Sequence, residues 1–212
     1  MPATYIIKKM IKQELTKLKN PITIKVFIKE DEELRAKEDL AIIKDYEENS
    51  EGKLKLDVRI LKNGNSRIET YQINRTPTII LTDPMGNELI RYLAAPQGSE
   101  VKPFLQSLQI LSGAKNYYED IIKKNLRNIQ PSIIKVLVTK SCAYCPQLVN
   151  LVSQFALGTM GKVKAEIIDI LKNPDIGNYY DIDTVPYIVI NDGEPIIGMV
   201  NPDELLKSIL IE

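Results

Sequence analysis

The feature that most constrains this chain is that it is written twice. KNPITIKVFI, from Lys19 to Ile28, is matched by IQPSIIKVLV, from Ile129 to Val138. Pro21 and Pro131 stand 110 residues apart, as do Lys25 and Lys135. Further on, INRTPTIILTD (Ile73 to Asp83) parallels IDTVPYIVIND (Ile182 to Asp192). Pro77 and Pro186 are 109 apart, so one residue has been lost between the copies. A period near 110 exceeds the roughly 20–50 residues of a solenoid repeat and points to two tandem domains. With 212 residues, 44% of them hydrophobic, the chain has material for two small cores.

Both units follow one order of elements. A leading helix is marked by Ile7, Met10, Ile11, Leu15 and Leu18 in the first, and by Tyr118, Ile121, Ile122, Leu126 and Ile129 in the second. A proline then stops the helix and a β-branched strand begins, Ile22 to Ile28 and Ile133 to Val138. The patterns predict a helix over 32–49 and 145–160, then a strand over 54–61 and 163–170. A short polar helical stretch leads to the proline-led strands 78–81 and 187–190. The second unit closes with a turn at NDGEP, a strand through Ile196 and Ile197, and a last helix. Asn201, Pro202 and Glu204 suit the N-cap, N1 and N3 positions of that helix. The first unit closes similarly, with Ser99 as a candidate cap. The fold class is therefore α/β, each unit a mixed β-sheet covered by helices. The boundary falls at Ser112 to Lys115, giving domains 1–112 and 113–212. No long Gly/Ser/Pro linker separates them, so the units are expected to pack together.

Several function classes drop out. Histidine is absent, which excludes a His general base, a Ser-His-Asp triad and every His-containing metal site. Lys+Arg and Asp+Glu balance at 28 each, so no global field favours nucleic acid. MPATYIIKKMIKQELTKLK is broken by lysines before an apolar stretch of about 7 residues forms, unlike a signal peptide. No run approaches the roughly 20 apolar residues of a membrane span. A soluble cytoplasmic protein is the expectation.

Two cysteines remain, both in SCAYCPQL, Ser141 to Leu148. Val136, Leu137 and Val138 end a buried-looking strand, and an apolar helix follows. Cys142 is therefore expected at or just before a helix N-terminus, where unpaired N–H groups and the helix dipole favour an anion. A thiolate there has its pKa lowered from about 8.5, and Lys140 adds a nearby positive charge. The spacing brings Cys145 within one turn, so that it can displace a mixed disulfide. Pro146 suits the first turn. Two other readings stay open on these residues alone: half of a zinc site completed by another chain, or a pair of inert core thiols. Ser141 and Tyr144 at the turn speak against the second.

A strand, CxxC at a helix start, a second strand, a short helix and then TVPY resemble the thioredoxin/glutaredoxin fold. IGMVNPDELL looks like that fold's final strand-to-helix segment. Two such units in one chain resemble the archaeal-type protein disulfide oxidoreductases, also called glutaredoxin-like proteins, and CAYCP is similar to that family's C-terminal CPYCP. The resemblance covers nearly the whole chain. It implies Cys142 as exposed nucleophile and Cys145 as resolving thiol. It also implies a cis Val185–Pro186 peptide beside the sulfurs, with Tyr144, Val185, Pro186 and Gly198 as the substrate-binding set. It implies no metal and no organic cofactor. Substrates would be protein or peptide disulfides, and electrons would come from a thioredoxin-reductase-like donor. Ala143 stands where the family often has proline. Thioredoxins carry a buried Asp in the strand before the motif, where this chain has Val136. Glu166 or Asp169 is a candidate proton acceptor instead, though both read more simply as solvated strand residues.

The first copy has no cysteine. Its equivalent stretch, IKEDEELRAKEDL (Ile28 to Leu40), crowds Glu30, Asp31, Glu32 and Glu33 at a helix start, as the dipole favours. Ala94 stands at the counterpart of Gly198, while Thr76–Pro77 survives. We read this unit as redox-dead. The function expected is thiol–disulfide exchange through Cys142 and Cys145. The fused thioredoxin folds of the alkyl hydroperoxide reductase flavoprotein look similar, which suggests as alternative an electron relay to a peroxiredoxin. A non-catalytic peptide-binding or chaperone-like module is the rival from another class.

Overall fold

The computed structural model describes residues 2–29, 33–61 and 71–211. The first unit comprises α1 (Pro2–Leu15), β1 (Ile22–Lys29), α2 (Glu33–Glu48), β2 (Leu54–Leu61), β3 (Thr78–Thr82), β4 (Glu88–Tyr92), a 3-10 turn η1 (Gly98–Glu100) and α3 (Val101–Leu111). The second comprises α4 (Glu119–Asn125), β5 (Ser132–Val138), α5 (Cys145–Gly158), β6 (Val163–Asp169), α6 (Pro174–Tyr179), β7 (Tyr187–Ile190), β8 (Ile196–Ile197) and α7 (Pro202–Lys207). The acidic run Glu30 to Glu32 and most of the polar stretch between β2 and β3 lie outside the described residues.

Each unit repeats one pairing scheme. β1 lies parallel to β2 and antiparallel to β3; β5 lies parallel to β6 and antiparallel to β7. Hairpins β3–β4 and β7–β8 complete them. The units do not keep separate sheets. β4 and β6 pair in parallel, Ile90 opposite Ala165 and Tyr92 opposite Ile167. Among the described residues one eight-stranded sheet results, in the order β2-β1-β3-β4-β6-β5-β7-β8. The physical reason is the edge each unit would otherwise expose: a free strand side carries unpaired N–H and C=O groups, and here two such sides satisfy each other. The pairings also set direction. β1, β2, β4, β5 and β6 run the same way, so all five end on one rim of the sheet.

One core crosses the seam. Ile24, Val26, Ile79, Tyr92 and Phe104 from the first unit share a cluster with Val136, Leu148, Val152, Ile188 and Leu205 from the second. α3 packs against α5, carrying Phe104 edge-on to Tyr92 with ring centroids 5.3 Å apart. On the opposite face lie two smaller clusters, one around Phe27 and Ile80 within the first unit, the other around Leu137 and Ile168 of the second unit with Leu93 of the first. Polar clasps span the units there: Arg75 meets Asp175 at 2.6 Å, and Asn173 Nδ2 donates to Leu93 O at 2.6 Å.

Local signals translate directly where the partners are local. Asn201 accepts from the Glu204 N–H while Glu204 Oε2 accepts from the Asn201 N–H, the reciprocal cap expected at α7. Ser99 is different. It lies inside η1, the N-cap of α3 is Glu100, and no side chain caps that helix. The Ser99 N–H instead reaches Lys140 O in the second unit, 2.9 Å away.

Candidate active site

β5 ends at Val138, and the chain turns through Thr139 to Tyr144 before α5 begins. Within the turn, the Cys142 N–H donates to Thr139 O at 3.1 Å. Cys142 and Cys145 form a disulfide, so neither is a thiolate ligand or an inert thiol in this state. Cys142 is half-buried and Cys145 fully buried. That asymmetry means an incoming group reaches the first sulfur and not the second. Cys145 is the first residue of α5, and its N–H donates to Cys142 Sγ at 3.0 Å. One of the orphan donors of a helix start is thus spent on the Cys142 sulfur. Pro146, having no N–H, withdraws no donor the turn needs.

The loop before β7 supplies the opposite wall. The Val185–Pro186 peptide is cis, as is Thr76–Pro77 in the first unit. Val185 O lies 3.8 Å from Cys142 Sγ, and Gly198 N–H donates to Pro186 O at 2.9 Å. Gly198 has φ +88, and nothing lies within 4 Å of where its Cβ would be. Tyr144 is exposed beside the cysteines in the turn, and Ile197 and Met199 are exposed on either side of Gly198. The structure therefore gathers Cys142, Cys145, Val185 and Pro186, with Gly198 adjoining through Pro186. Ala94 precedes the loop that leads to η1, and its small side chain is buried.

Of the two acids considered on the neighbouring strand, Glu166 is half-buried rather than solvated. It alternates with Ala165 and Ile167, so it lies on the sheet face away from α5, in a trough with Arg91 and Glu88. Burial raises its pKa and the Arg91 charge opposes that rise. Asp169, at the end of β6, accepts the Leu171 N–H at 2.9 Å. The acid that sequence reasoning missed is Glu100 of the first unit. It is 5% exposed and shares a cavity of about 20 Å³ with Asp169, Val138 and Ile167, room for about one water. Its Oε2 has no hydrogen-bond partner, and Ser99 Oγ is 3.5 Å from Oε1. Burial, helped by the Asp169 charge, pushes its carboxyl up to about 7, against the smaller pull of Ser99. In the sequence Glu100 is one more acid ahead of an apolar helix. Only the β4–β6 seam brings it under the end of β5.

Fold and site together define a thioredoxin-like protein: two tandem thioredoxin folds sharing one sheet, with a single CxxC disulfide at a helix start. A family model described as a thioredoxin domain matches residues 133–211. No curated protein matches the sequence. Among solved structures, the NTD_N/C domain of alkylhydroperoxide reductase AhpF from Enterococcus faecalis is similar over 97% of this chain and 98% of its own, with 20% identity and TM-score 0.85. A protein disulfide oxidoreductase from Aeropyrum pernix is similar over 95% and 90%, with 24% identity and TM-score 0.84. Both likenesses extend across the two units, so the tandem arrangement itself is what is shared. No helix among the described residues is long and apolar enough to cross a membrane.

Proposed function

We propose that the protein is a thiol–disulfide oxidoreductase acting on protein or peptide disulfides, with Cys142 as nucleophile and Cys145 as resolving thiol. The observation that carries this is the sulfur of Cys142: half-buried, accepting the first N–H of α5 at 3.0 Å, beside the Val185 carbonyl at 3.8 Å. In the reduced protein the Cys142 thiolate attacks one sulfur of a substrate disulfide. A mixed disulfide forms and the other substrate sulfur leaves as thiolate. Cys145, deprotonated, then attacks Cys142 Sγ. The second substrate sulfur leaves, and the Cys142–Cys145 disulfide holds the oxidising equivalent. Two electrons pass to the substrate, and its thiolates take up two protons. Glu100, poised near neutrality in the small cavity it shares with Val138 at the end of β5, is the acid we assign to take up the proton that Cys145 must lose. An extended substrate segment lies along Val185, Pro186 and Gly198, with Tyr144 on its far side.

In this reading residues 113–212 are the redox unit and residues 1–112 a Cys-less partner. The end of α3 at Leu111 and the left-handed Gly113, φ +105, support that division. Re-reduction falls to an outside donor, a thioredoxin-reductase-like flavoprotein, in the cytoplasm. The test is reduction of insulin by dithiothreitol, with the wild type against Cys142→Ser. Equal rates for the two would remove the proposal. The likeness to the alkylhydroperoxide reductase domain supports a narrower second reading, a relay from a flavoprotein to a peroxiredoxin. Peroxide consumption reconstituted from the three proteins separates it from general disulfide reduction.

A further inference from the structure

We infer that the Cys-less unit is a working part of the redox site: its Gly98 and Ser99 hold the loop that presents Cys142, and Gly98 is a positioning residue for that sulfur. The inference rests on the function proposed above and adds the part the first unit plays in it.

The contact is backbone on backbone. Gly98 has φ +56, and a Cβ there would lie 2.2 Å from Lys140 O and 3.1 Å from Lys140 C. No rotamer change relieves such a clash, because the obstacle is main chain. Ser99 N–H then donates to that carbonyl at 2.9 Å. Lys140 stands two residues before Cys142, whose own N–H is tied to Thr139 O. The turn carrying the sulfur is thereby held from inside by its own hydrogen bond and from outside by the first unit.

The holding loop is itself anchored. Tyr46 on α2 donates its hydroxyl to Pro96 O at 2.8 Å, and Gln97 Nε2 lies 3.5 Å from Asp39 Oδ1. Immediately beyond, α3 packs against α5, the helix that begins at Cys145. The loop and α3 of the first unit therefore contact both the Lys140 carbonyl and α5. Lys140 itself lies outside the strand ladder, and its side chain reaches solvent. What the grip fixes is the path from Thr139 to Cys145, on which the 3.0 Å contact between the Cys145 N–H and Cys142 Sγ depends. A hydrogen bond to a thiolate weakens steeply with distance and angle.

In Gly98→Ala, Lys140 has to retreat by about 1 Å to restore ordinary contact. The measurement is the alkylation rate of Cys142 by iodoacetamide in the fully reduced full-length protein, followed by mass spectrometry across the pH range. The rate follows the thiolate fraction. The expected result is an upward shift of the profile's midpoint and a fall of about two- to tenfold at neutral pH, the range one ordinary hydrogen bond commands. Ser99→Pro removes the donor while leaving Gly98, at a first-turn position where proline is tolerated. It should shift the profile the same way, and it decides the matter if Gly98→Ala does not fold. Gly52→Ala is the matched control. Its φ of +80 brings similar backbone strain, but nothing lies within 4 Å of the added Cβ. It should lower the thermal midpoint and leave the profile in place. A wild-type profile in folded Gly98→Ala or Ser99→Pro, or an equal shift in Gly52→Ala, overturns the inference. Alkylation needs no disulfide substrate, so its outcome is independent of the insulin assay that tests the proposed function.

Discussion

Glu100 gives the sharpest quantitative test. Its carboxyl is buried, one oxygen has no hydrogen-bond partner, and its pKa stands at about 7 against an ordinary 4.5. Between those two values the folded protein binds a proton that the unfolded chain has released. The slope of unfolding free energy with pH is therefore negative for this group: stability is complete below about 4.5 and is lost as pH rises toward 7. At about 1.4 kcal/mol per pH unit, the loss totals about 3 kcal/mol above neutrality. Glu100→Gln keeps the shape of the protonated acid and cannot ionise. The variant should match the wild type near pH 4.5 and exceed it by about 3 kcal/mol at pH 8. The assay is urea unfolding of the oxidised protein at both pH values. For a urea slope of about 1–3 kcal/mol per molar, the midpoint should rise by roughly 1–3 M at pH 8. Carboxylates held low by partners, such as Asp57 and Asp192, lose stability in the opposite direction as pH falls, but they are common to both proteins and cancel in the difference. A wild-type-to-variant gap that does not widen between pH 4.5 and 8 would refute the reasoning. A buried acid this costly is kept for a reason other than stability, so the same substitution should slow disulfide reduction while Cys142 alkylation persists.

Two further outcomes follow from the site. Cys145→Ser leaves the nucleophile without its resolving partner, so incubation with a disulfide substrate should accumulate a mixed disulfide at Cys142, seen by non-reducing gel and peptide mass; its absence would contradict the assigned roles. Gly198→Val places a branched side chain at φ +88 in the open space beside Pro186. It should cost about 1–2 kcal/mol of stability from the left-handed backbone and raise KM for peptide disulfides while leaving the alkylation rate of Cys142 unchanged; an unaltered KM would remove Gly198 from the substrate path.

The legible part of the molecule is the part made by neighbours in the chain. The doubling, the strand–turn–helix around Cys142 and Cys145, and the reciprocal cap of Asn201 and Glu204 each show in residues close together along the sequence or in one segment set against its copy. The proline-led strands at Pro77 and Pro186 are equally plain, since proline fixes its own φ whatever surrounds it. Ser99 shows the opposite case. Its type and place suit a cap, yet its side chain caps nothing, and its backbone is bound to Lys140 of the other unit. Glu166 reads as an ordinary strand acid and proves to be half-buried beside Arg91, because β4 becomes its neighbour across the seam.

Residues close together along the chain specify two copies of one fold, a single thiol pair, and the helix start on which that pair sits. Tertiary structure decided that the copies share one sheet, that the copy without cysteines meets the turn before Cys142 through Gly98 and Ser99, and that Glu100 is buried beside Val138 and Asp169. The reason is that these joins are made by main-chain groups and by burial. Every residue carries the first and no single residue type encodes the second, so neither leaves a mark in periodicity or motif until distant strands lie side by side.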